Sequence, residues 1–592
     1  MSTPDPRQAV RLLFLLVLLL YARVITCDWV NWDDTIYFAN PHLQQGLSAA
    51  SLRWALSDTD LVHQWIPITW LSILLDLTLF GDNPAATHGV NLLLHLANTV
   101  LLFTLLRRAT GQPWPALFAA ALFAVHPQHV EAVAWATERK ELLAALFGLI
   151  SLHLYVIFVM QRADGRSCRN RRCFLPLLGS VGCYFLSLTA KPMWITLPFL
   201  LLLLDGWPLR RWQRPWGPLL AEKLAYLPVM IGILLVTFRV YETPSFAPDG
   251  VSIWQLLPQA VMNDLHYLTA TFWPVDLAPL YPLPLAAPDS LRVAGAACVL
   301  LVLTGVALSQ VRSRPWLLWG WLWFMGALLP VSGIIHAGRH ATTDRFTYLP
   351  HMGLFAALAW EASLWAGRWR LTPRLLAGLA GGVLLVAAAL SFNQIGIWQD
   401  SLSLWSRAIA VTRDNHYAHY MLAGLFMEER DLDRAEAEIQ RALAILPGQV
   451  DYALLHADIT YRRGGRAEAL EQLRQLAIRH PTVPKIPLRM AMIHLREGSF
   501  TQALPLLQSI VASGTAGGLA PAVIADITEA EFNLGVTRAM LGEGEGARHH
   551  LARAFERQPW LRSRRCALLQ ALARDPAHEK TPWPRLAGAL CP

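Results

Sequence analysis

The chain has 592 residues, of which 54% are hydrophobic and only 16% are Asp, Glu, Lys or Arg, and its mean hydropathy is +0.35. About a quarter of the residues of a soluble protein are charged, so this composition excludes a mostly soluble fold, and the long apolar runs exclude a disordered chain. The formal net charge is +8, but within the first 392 residues the basic residues lie mainly in short loops between apolar runs. That placement indicates membrane topology rather than a nucleic-acid partner.

An apolar stretch near the N-terminus begins after Arg7 and Arg11, runs to about Val24 and lacks a small-residue cleavage site. We interpret it as a first transmembrane helix with a cytoplasmic N-terminus, not as a cleaved signal. Further apolar segments lie at 87–106, 114–130, 141–160, 174–188, 192–204, 219–239, 291–310, 316–336, 346–366 and 374–392. The prediction is an all-α polytopic membrane domain with about 11 spans over residues 1–392, several of them short for a bilayer.

The loops between these segments predict the orientation of the chain. Alternate loops are rich in arginine: 107–108, 162–172, 210–214, 312–314 and 368–374. The positive-inside rule places these loops in the cytoplasm, and an odd span count then places everything after residue 392 on the outer face. Segments 65–80 and 253–273 fit this alternation poorly, and we expect interfacial helices there. If both span instead, the count is 13 and the final side is unchanged.

A 34-residue period follows residue 392. Ala435, Ala469 and Ala503 recur at this spacing, as do Ile439, Leu473 and Leu507. This resembles the tetratricopeptide repeat, a helix–turn–helix unit that stacks into an α-solenoid. We predict this solenoid over 393–560 and a C-terminal tail over 561–592. Whether Cys566 and Cys591 pair is left open, and seven cysteines cannot form a disulfide scaffold in a chain of this size.

Two adjacent carboxylates, Asp33 and Asp34, lie about ten residues after the first span within an aromatic-rich loop. Ionisable groups at the membrane surface tend to be functional, so we consider both candidate catalytic residues. The alternative is that they cap a solvated helix, since Asp favours that position.

A second predicted outer loop contains His126, His129 and Glu131, followed by Glu138, Arg139 and Lys140. The first three lack the HExxH spacing, so a zinc site has weak support. The other interpretation is a set of hydrogen-bonded interface residues with cations on lipid phosphates. Three more cations fall in predicted outer loops, namely Lys191, Arg339 and Arg345. Together they predict carboxylates and cations on one membrane face, with Arg139, Lys140, Lys191, Arg339 and Arg345 as donor-binding residues and His126, His129, Glu131 and Glu138 in support.

These segments also carry a family resemblance. WDDTIYFANPHLQQGL, HPQHVEAVAWATERKELLAALF, AKPMWITLPFLLLLLDGWPL, FWPVDLAPLYP and DRFTYLP resemble successive blocks of the transmembrane-and-tetratricopeptide-repeat (TMTC) glycosyltransferases. The resemblance implies a GT-C fold and a polyprenyl-phosphate-linked sugar donor. The family's eukaryotic members transfer mannose to Ser or Thr, and for this chain we expect transfer of a sugar, with mannose as one candidate, to a hydroxyl of a protein or glycan acceptor on the outer face of the membrane. Carried over by position, the family's acidic motif falls on Asp33 and Asp34, and its second loop on residues 126–141.

The chemistry agrees with that resemblance. A phosphate leaving group needs cations but no proton donor, whereas the acceptor hydroxyl needs a base. We therefore expect Asp33 to act as the base, Asp34 to support it, and a single displacement to invert the anomeric centre. No cofactor besides the lipid-linked donor is implied with certainty, and a divalent metal is left open. The expected partners are the donor, membrane lipid and a protein or peptide acceptor held by the repeats, and the expected location is a bacterial inner membrane with periplasmic repeats. The alternatives are a non-catalytic scaffold and, third, a transporter.

Overall fold

The computed structural model describes residues 5–163, 174–213, 215–241, 253–334, 340–514, 521–575 and 582–591. They form two compact units, Met1–Asp414 and Asn415–Pro592. The helices of the first unit are α1 Pro6–Tyr21, α2 Asp33–Phe38, α3 Pro41–Gln44, α4 Ala49–Ser57, α5 Pro67–Phe80, α6 Pro84–Thr110, α7 Pro113–Val125, α8 Val130–Ala134, α9 Arg139–Ala163, α10 Leu175–Ala190, α11 Leu197–Gly206, α12 Trp216–Leu224, α13 Leu227–Tyr241, α14 Ile253–Phe272, α15 Ser290–Ser309, α16 Pro315–Leu328, α17 Pro350–Arg368, α18 Pro373–Ile397 and α19 Ser401–Val411. Two short strands, β1 Tyr281–Pro282 and β2 His340–Thr342, pair antiparallel.

The protein is a multi-pass membrane protein. Within the described ranges, five helical segments have the length and composition to cross a bilayer: Pro6–Thr26, Pro84–Thr110, Ala136–Arg162, Ser290–Ser309 and Pro373–Ile397. Two bent helix pairs raise this number to as many as seven. Each of the 11 apolar segments predicted from sequence contains a helix, which confirms the helical class. The count of 11 spans stays a prediction, as does the interfacial position of α5 and α14.

Local sequence explains where the membrane helices begin and end. In α6, Pro84 occupies the first turn, where a missing N–H is tolerated, and the Asn83 side chain accepts a hydrogen bond from the Ala86 N–H. The helix ends at Gly111, whose φ of +70° is the left-handed conformation that glycine adopts without strain.

The predicted span 114–130 is broken rather than continuous. Helices α7 and α8 meet at an angle of 57° across a turn at Pro127–His129. Pro127 has no N–H to donate and disfavours a helical conformation at His126, which is extended with ψ of 132°. The break directs polar residues of this segment into the interior of the first unit.

Helix α9 carries a buried ion cluster at each end. One lies at Glu138–Glu141 and is described below. At the other end, Tyr155 donates to Asp205, and the Arg211 guanidinium bridges Asp205 and Glu222 at 2.8 Å from each. Lys223 completes this cluster through contacts with Asp205 and Glu222. Lys140 and Tyr155 are 15 residues apart, which corresponds to about 22 Å along a helix, or about three quarters of the thickness of a bilayer core.

The second unit consists of paired helices. They are α20 His416–Glu428, α21 Leu432–Ile445, α22 Val450–Arg462, α23 Arg466–Arg479, α24 Lys485–Arg496, α25 Phe500–Ser513, α26 Pro521–Met540, α27 Gly544–Arg557, α28 Pro559–Arg574 and α29 Trp583–Leu590. The period-34 alanines Ala435, Ala469 and Ala503 are fully buried, so each allows close packing of neighbouring helices. The predicted repeat architecture is confirmed.

Two predicted domain boundaries need correction. The first unit ends after Asp414 rather than residue 392, because α19 packs back on the loop that follows the first span: Ser401 accepts from the Asn31 N–H at 2.8 Å, and Trp405 donates to the Asn31 side chain at 2.6 Å. The predicted C-terminal tail, 561–592, contains helical structure in its described residues. Their helices α28 and α29 pack into a core that includes Leu569 and Trp583, and Cys566 and Cys591 form a disulfide.

Candidate active site

The two adjacent aspartates have different environments. Helix α2 begins at Asp33, and carboxylates in a first helical turn are stabilised by the helix dipole. Asp34 is buried, with 1% of its surface exposed, and accepts hydrogen bonds from the backbone N–H groups of Val30 at 3.0 Å and Thr137 at 3.3 Å. Burial raises the pKa of Asp34 to about 7, although both hydrogen bonds oppose that shift. Asp34 therefore ties the α2 loop to the start of α9.

Asp33 remains accessible. Its side chain is 27% exposed, and its carboxylate lies 3.5 Å from the Lys140 ammonium group. Neither aspartate is the N-cap of α2, since that position is Trp32. The helix-cap interpretation of the pair is therefore not the one that the structure adopts.

Glu138 is the centre of a buried ion network. Its carboxylate lies 2.8 Å from the Lys191 ammonium, 3.3 Å from that of Lys140 and 3.1 Å from Nε of Arg345. Charges removed from water are stable only when they are paired, and each of these side chains is less than a tenth exposed. Three of the five predicted donor-binding cations therefore meet at Glu138. Lys140 comes from α9, Lys191 from the turn after α10 and Arg345 from the turn before α17.

Two further carboxylates extend this network. Glu131, on α8, forms an ion pair with the Arg345 guanidinium and also accepts from the Arg345 backbone N–H at 3.0 Å. Glu141 lies 2.9 Å from Lys191. We call Asp33, Glu131, Glu138, Lys140, Glu141, Lys191 and Arg345 the ion network.

Aromatic rings line the cations of the ion network. The Arg345 guanidinium lies 5.0 Å from the ring centre of Trp135 and 5.9 Å from that of Trp32. The Lys140 ammonium lies 5.6 Å from the ring of Tyr37. Such contacts attract a cation to the ring face and help to fix its position.

Arg139 does not join the ion network. Its guanidinium contacts Asp76 at 2.7 Å, the Asn91 side chain at 2.7 Å and the Thr87 carbonyl at 2.8 Å. These contacts join α9 to α5 and α6, so the geometry gives Arg139 a structural position. A donor contact for Arg139 stays a prediction. Arg339 lies outside the described residues.

The two predicted supporting histidines lie in a separate buried chain. His129 pairs with His351 at 2.9 Å, His351 meets the Thr271 hydroxyl at 2.9 Å, and the Nε2 atom of His126 lies 2.9 Å from the Thr271 carbonyl. In the described part of the chain, no three His, Cys, Asp or Glu side chains converge as they would around a metal ion. These histidines are placed to join α8, α14 and α17, and their supporting role stays a prediction.

Sequence reasoning assigned no specific role to two carboxylates near the site. Asp76 was detectable as the one charged residue of the apolar run 65–80 and turns out to neutralise Arg139. Asp344 is 2% exposed and is held by the Gln128 amide at 3.4 Å and the Tyr281 hydroxyl at 3.3 Å. Burial and the nearby Glu131 carboxylate raise the pKa of Asp344 well above its usual range. No local pattern distinguishes it from a solvated loop residue.

Similarity to known proteins supports the predicted resemblance for part of the chain. The tetratricopeptide repeat family matches residues 386–450 and 454–518. Protein O-mannosyl-transferase TMTC1 of Mus musculus is 33% identical over 167 residues, covering 26% of this chain and 17% of that protein. TMTC4 of Homo sapiens is 34% identical over 151 residues, covering 22% of this chain and 20% of that protein. The matches span a fifth or less of these relatives, and there they confirm the resemblance to TMTC proteins.

Two solved structures align with more of the chain at low similarity. The Archaeoglobus fulgidus oligosaccharyltransferase tethered with an acceptor peptide shows 13% identity and a TM-score of 0.37, covering 73% of this chain and 58% of that chain. ArnT from Cupriavidus metallidurans bound to undecaprenyl phosphate shows 17% identity and a TM-score of 0.35, covering 79% and 80%.

Proposed function

We propose that this protein is an integral-membrane glycosyltransferase of the GT-C type. It moves a sugar from a polyprenyl phosphate to a hydroxyl of a protein or glycan acceptor on the outer face of a bacterial inner membrane. The observation that carries this proposal is the convergence of Lys140, Lys191 and Arg345 on Glu138, beside the accessible carboxylate of Asp33. Partial similarity to protein O-mannosyl-transferases supports the reaction class and makes mannose the first sugar to test.

The cations supply what a phosphate leaving group requires. As the bond between the sugar and the phosphate breaks, the phosphate gains negative charge, and fixed cations in a site with little water stabilise that charge strongly. Lys140, Lys191 and Arg345 are already gathered at Glu138, and an arriving phosphate takes the place of one or more of the carboxylates that they contact. No proton donor is required for this leaving group.

Asp33 is placed to accept the proton of the acceptor. The acceptor oxygen attacks the anomeric carbon, the bond between that carbon and the phosphate oxygen breaks, and its electron pair leaves with the phosphate. The hydroxyl proton passes to the Asp33 carboxylate, and a single displacement inverts the anomeric centre. The Lys140 ammonium lies 3.5 Å from this carboxylate and holds it beside the other groups of the ion network.

The competing proposal is a scaffold that uses its repeats to assemble a periplasmic complex. Buried ion networks are costly to desolvate and do not by themselves stabilise a fold. A scaffold has no need of an accessible carboxylate beside the ion network, whereas a transferase that needs a base does, and Asp33 is such a carboxylate.

Mass spectrometry of envelope proteins and glycans tests the proposal. We expect a sugar-containing product in cells that express the protein and its absence in a deletion strain. Complementation with wild type or with an Asp60→Asn variant, an exposed carboxylate of the same outer loop, restores the product, and Asp33→Asn does not. Identical glycans in all strains would overturn the proposal. Restoration by Asp33→Asn would favour the scaffold.

A further inference from the structure

One face of the repeat unit contains a cavity that the proposed chemistry does not use. Its volume is about 390 Å³, and it is lined by residues of α20, α22, α24 and α26, the first helices of successive helix pairs. Leu454 and Leu488 occupy equivalent repeat positions, 34 residues apart, and form an apolar floor with Met492. We call this cavity the repeat groove.

The charged side chains of the repeat groove are mostly paired with one another. Lys485 and Asp451 lie 3.5 Å apart, and Arg489 and Asp458 lie 3.3 Å apart. Glu529, the third carboxylate of the lining, pairs with Arg565 of α28 at 2.8 Å. Each of these carboxylates therefore has a cation of the same unit beside it.

Asp526 is the exception. It lines the repeat groove from α26 and is half-buried, yet among the side chains that the structure describes in the second unit its carboxylate has neither an ion pair nor a hydrogen bond. Partial burial raises its pKa to about 6, and the nearby cations Lys485 and Arg489 oppose that shift without forming an ion pair with it. A half-buried carboxylate that no cation contacts directly favours the arrival of a further cation.

We propose that the repeat groove binds an extended polypeptide segment in which a Lys or Arg side chain lies next to a large apolar side chain. The apolar side chain packs on Leu454 and Leu488, and the cation pairs with Asp526. The inference rests on the proposed function in one respect, that the bound segment belongs to the acceptor. It adds the chemistry by which that acceptor is chosen.

An acidic segment fits the repeat groove less well. The two cations in the lining, Lys485 and Arg489, are each within 3.5 Å of a carboxylate, so an anionic ligand would have to displace an existing partner. A basic segment displaces none. Charge complementarity therefore favours the cation.

Peptide binding to the full-length protein in detergent tests this inference. The probes are a short acetylated peptide with one Arg between two Leu residues and its twin, in which neutral citrulline replaces Arg. We expect the Arg peptide to bind about tenfold more tightly to the wild type, and Asp526→Asn to reduce this ratio to about one. The matched control is Asp433→Asn, a carboxylate that is 89% exposed and lies outside the groove lining; its ratio stays at the wild-type value.

A second variant guards against misfolding as the explanation. Lys485→Gln removes a cation from the lining, so we expect binding of the Arg peptide to become tighter, a gain that an unfolded protein cannot show. Equal affinities for both peptides in the wild type, or an unchanged ratio in Asp526→Asn, would overturn the inference. Hydrolysis of the lipid donor is measured in parallel: Asp526→Asn keeps it, whereas Asp33→Asn loses it and keeps the peptide preference, so the two proposals fail separately.

Discussion

At the scale of single residues, the surroundings of the neighbouring aspartates Asp33 and Asp34 differ, and they predict different roles for the two side chains. Asp33 is 27% exposed and faces Lys140, while Asp34 is buried and bound by two backbone N–H groups. Adjacent side chains point in different directions, so one can serve chemistry while the other fixes the loop. Each role predicts a different consequence of substitution by Asn.

Asp33→Asn removes the proposed base while keeping the size of the side chain. We expect the transfer rate per inserted molecule to fall by roughly a hundred- to ten-thousand-fold, with little change in stability. The measurement is transfer from a polyprenyl-phosphate sugar, with Asp34→Asn and Glu131→Gln assayed alongside. If Asp33→Asn transfers sugar at the normal rate and either Asp34→Asn or Glu131→Gln is inactive, the residue changed in the inactive variant is the base.

Asp34→Asn is expected to act on folding and on its pH dependence. Asn can offer one oxygen, so either the Val30 or the Thr137 N–H is left without an acceptor, at a cost of about 1–3 kcal/mol. Burial raises the pKa of Asp34 from 3.8 to about 7, so the folded protein holds a proton that the unfolded chain releases. This contribution to stability is complete below about pH 4 and is lost as pH rises through 7.

Unfolding followed against pH in detergent checks this sign. Between pH 4 and 7, the wild type loses stability through Asp34 as pH rises, and Asp34→Asn lacks that component. An identical slope in both proteins would show that Asp34 does not titrate in this range.

Glu138→Gln leaves three cations without their shared carboxylate. Removing one partner of a buried ion pair costs about 3–5 kcal/mol, so we expect a lower unfolding temperature. A bound polyprenyl phosphate replaces the lost negative charge and should raise the unfolding temperature of Glu138→Gln more than that of the wild type. Glu141→Gln, which affects one contact of Lys191 at 2.9 Å, is the milder control. If the lipid stabilises the wild type, Glu138→Gln and Glu141→Gln equally, the ion network does not bind the donor.

At the scale of elements, the close packing of α16 and α17 positions one cation of the site. Arg345 lies in the turn that leads into α17, and glycines on both helices allow a close approach. A Cβ at Gly320 would lie 2.5 Å from the Gly353 carbonyl oxygen and 2.5 Å from the Ala357 Cβ. A backbone oxygen has little freedom to move away, so the two helices would have to separate.

Gly320→Ala is therefore expected to destabilise the first unit by about 1–3 kcal/mol and to lower transfer activity through Arg345. Gly326→Ala, on the same helix, meets only a Leu200 methyl group at 3.9 Å and should be nearly neutral. Thermal unfolding of both variants in detergent gives the comparison. Equal stability would show that this contact has room for a methyl group.

At the scale of the whole molecule, the orientation predicted from arginine-rich loops stays a prediction, and the disulfide of the repeat unit agrees with it. Disulfides persist in oxidising compartments such as the periplasm and are rare in the cytoplasm. The bond between Cys566 and Cys591 thus favours a periplasmic location of the repeat unit.

Reporter fusions test the orientation. Because α19 packs on the loop of Asn31, the fusion point should follow Asp414 rather than residue 392. Alkaline phosphatase should be active and green fluorescent protein dark when fused there. A fusion after Arg312, in a predicted cytoplasmic loop, should give the reverse. The opposite pattern at Asp414 would place the repeats in the cytoplasm.

The sequence by itself determined the features that depend on local pattern. Apolar runs identified the membrane helices, the 34-residue period identified the repeats, and ionisable residues at span ends identified Asp33, Glu138, Lys140, Lys191 and Arg345 as a set. Hydrophobic length and periodicity are properties of neighbouring residues, so they can be recognised without a fold.

Only the tertiary structure decided which of these groups meet. It paired Arg139 with Asp76 from another helix, buried Asp34 while leaving Asp33 accessible, and bent the chain at Pro127. It also places the boundary between the two compact units after Asp414, whereas the sequence predicted it after residue 392. The C-terminal helices contain the disulfide between Cys566 and Cys591. Burial and ion pairing depend on atoms that are distant along the chain, and for that reason no local pattern of residues contains them.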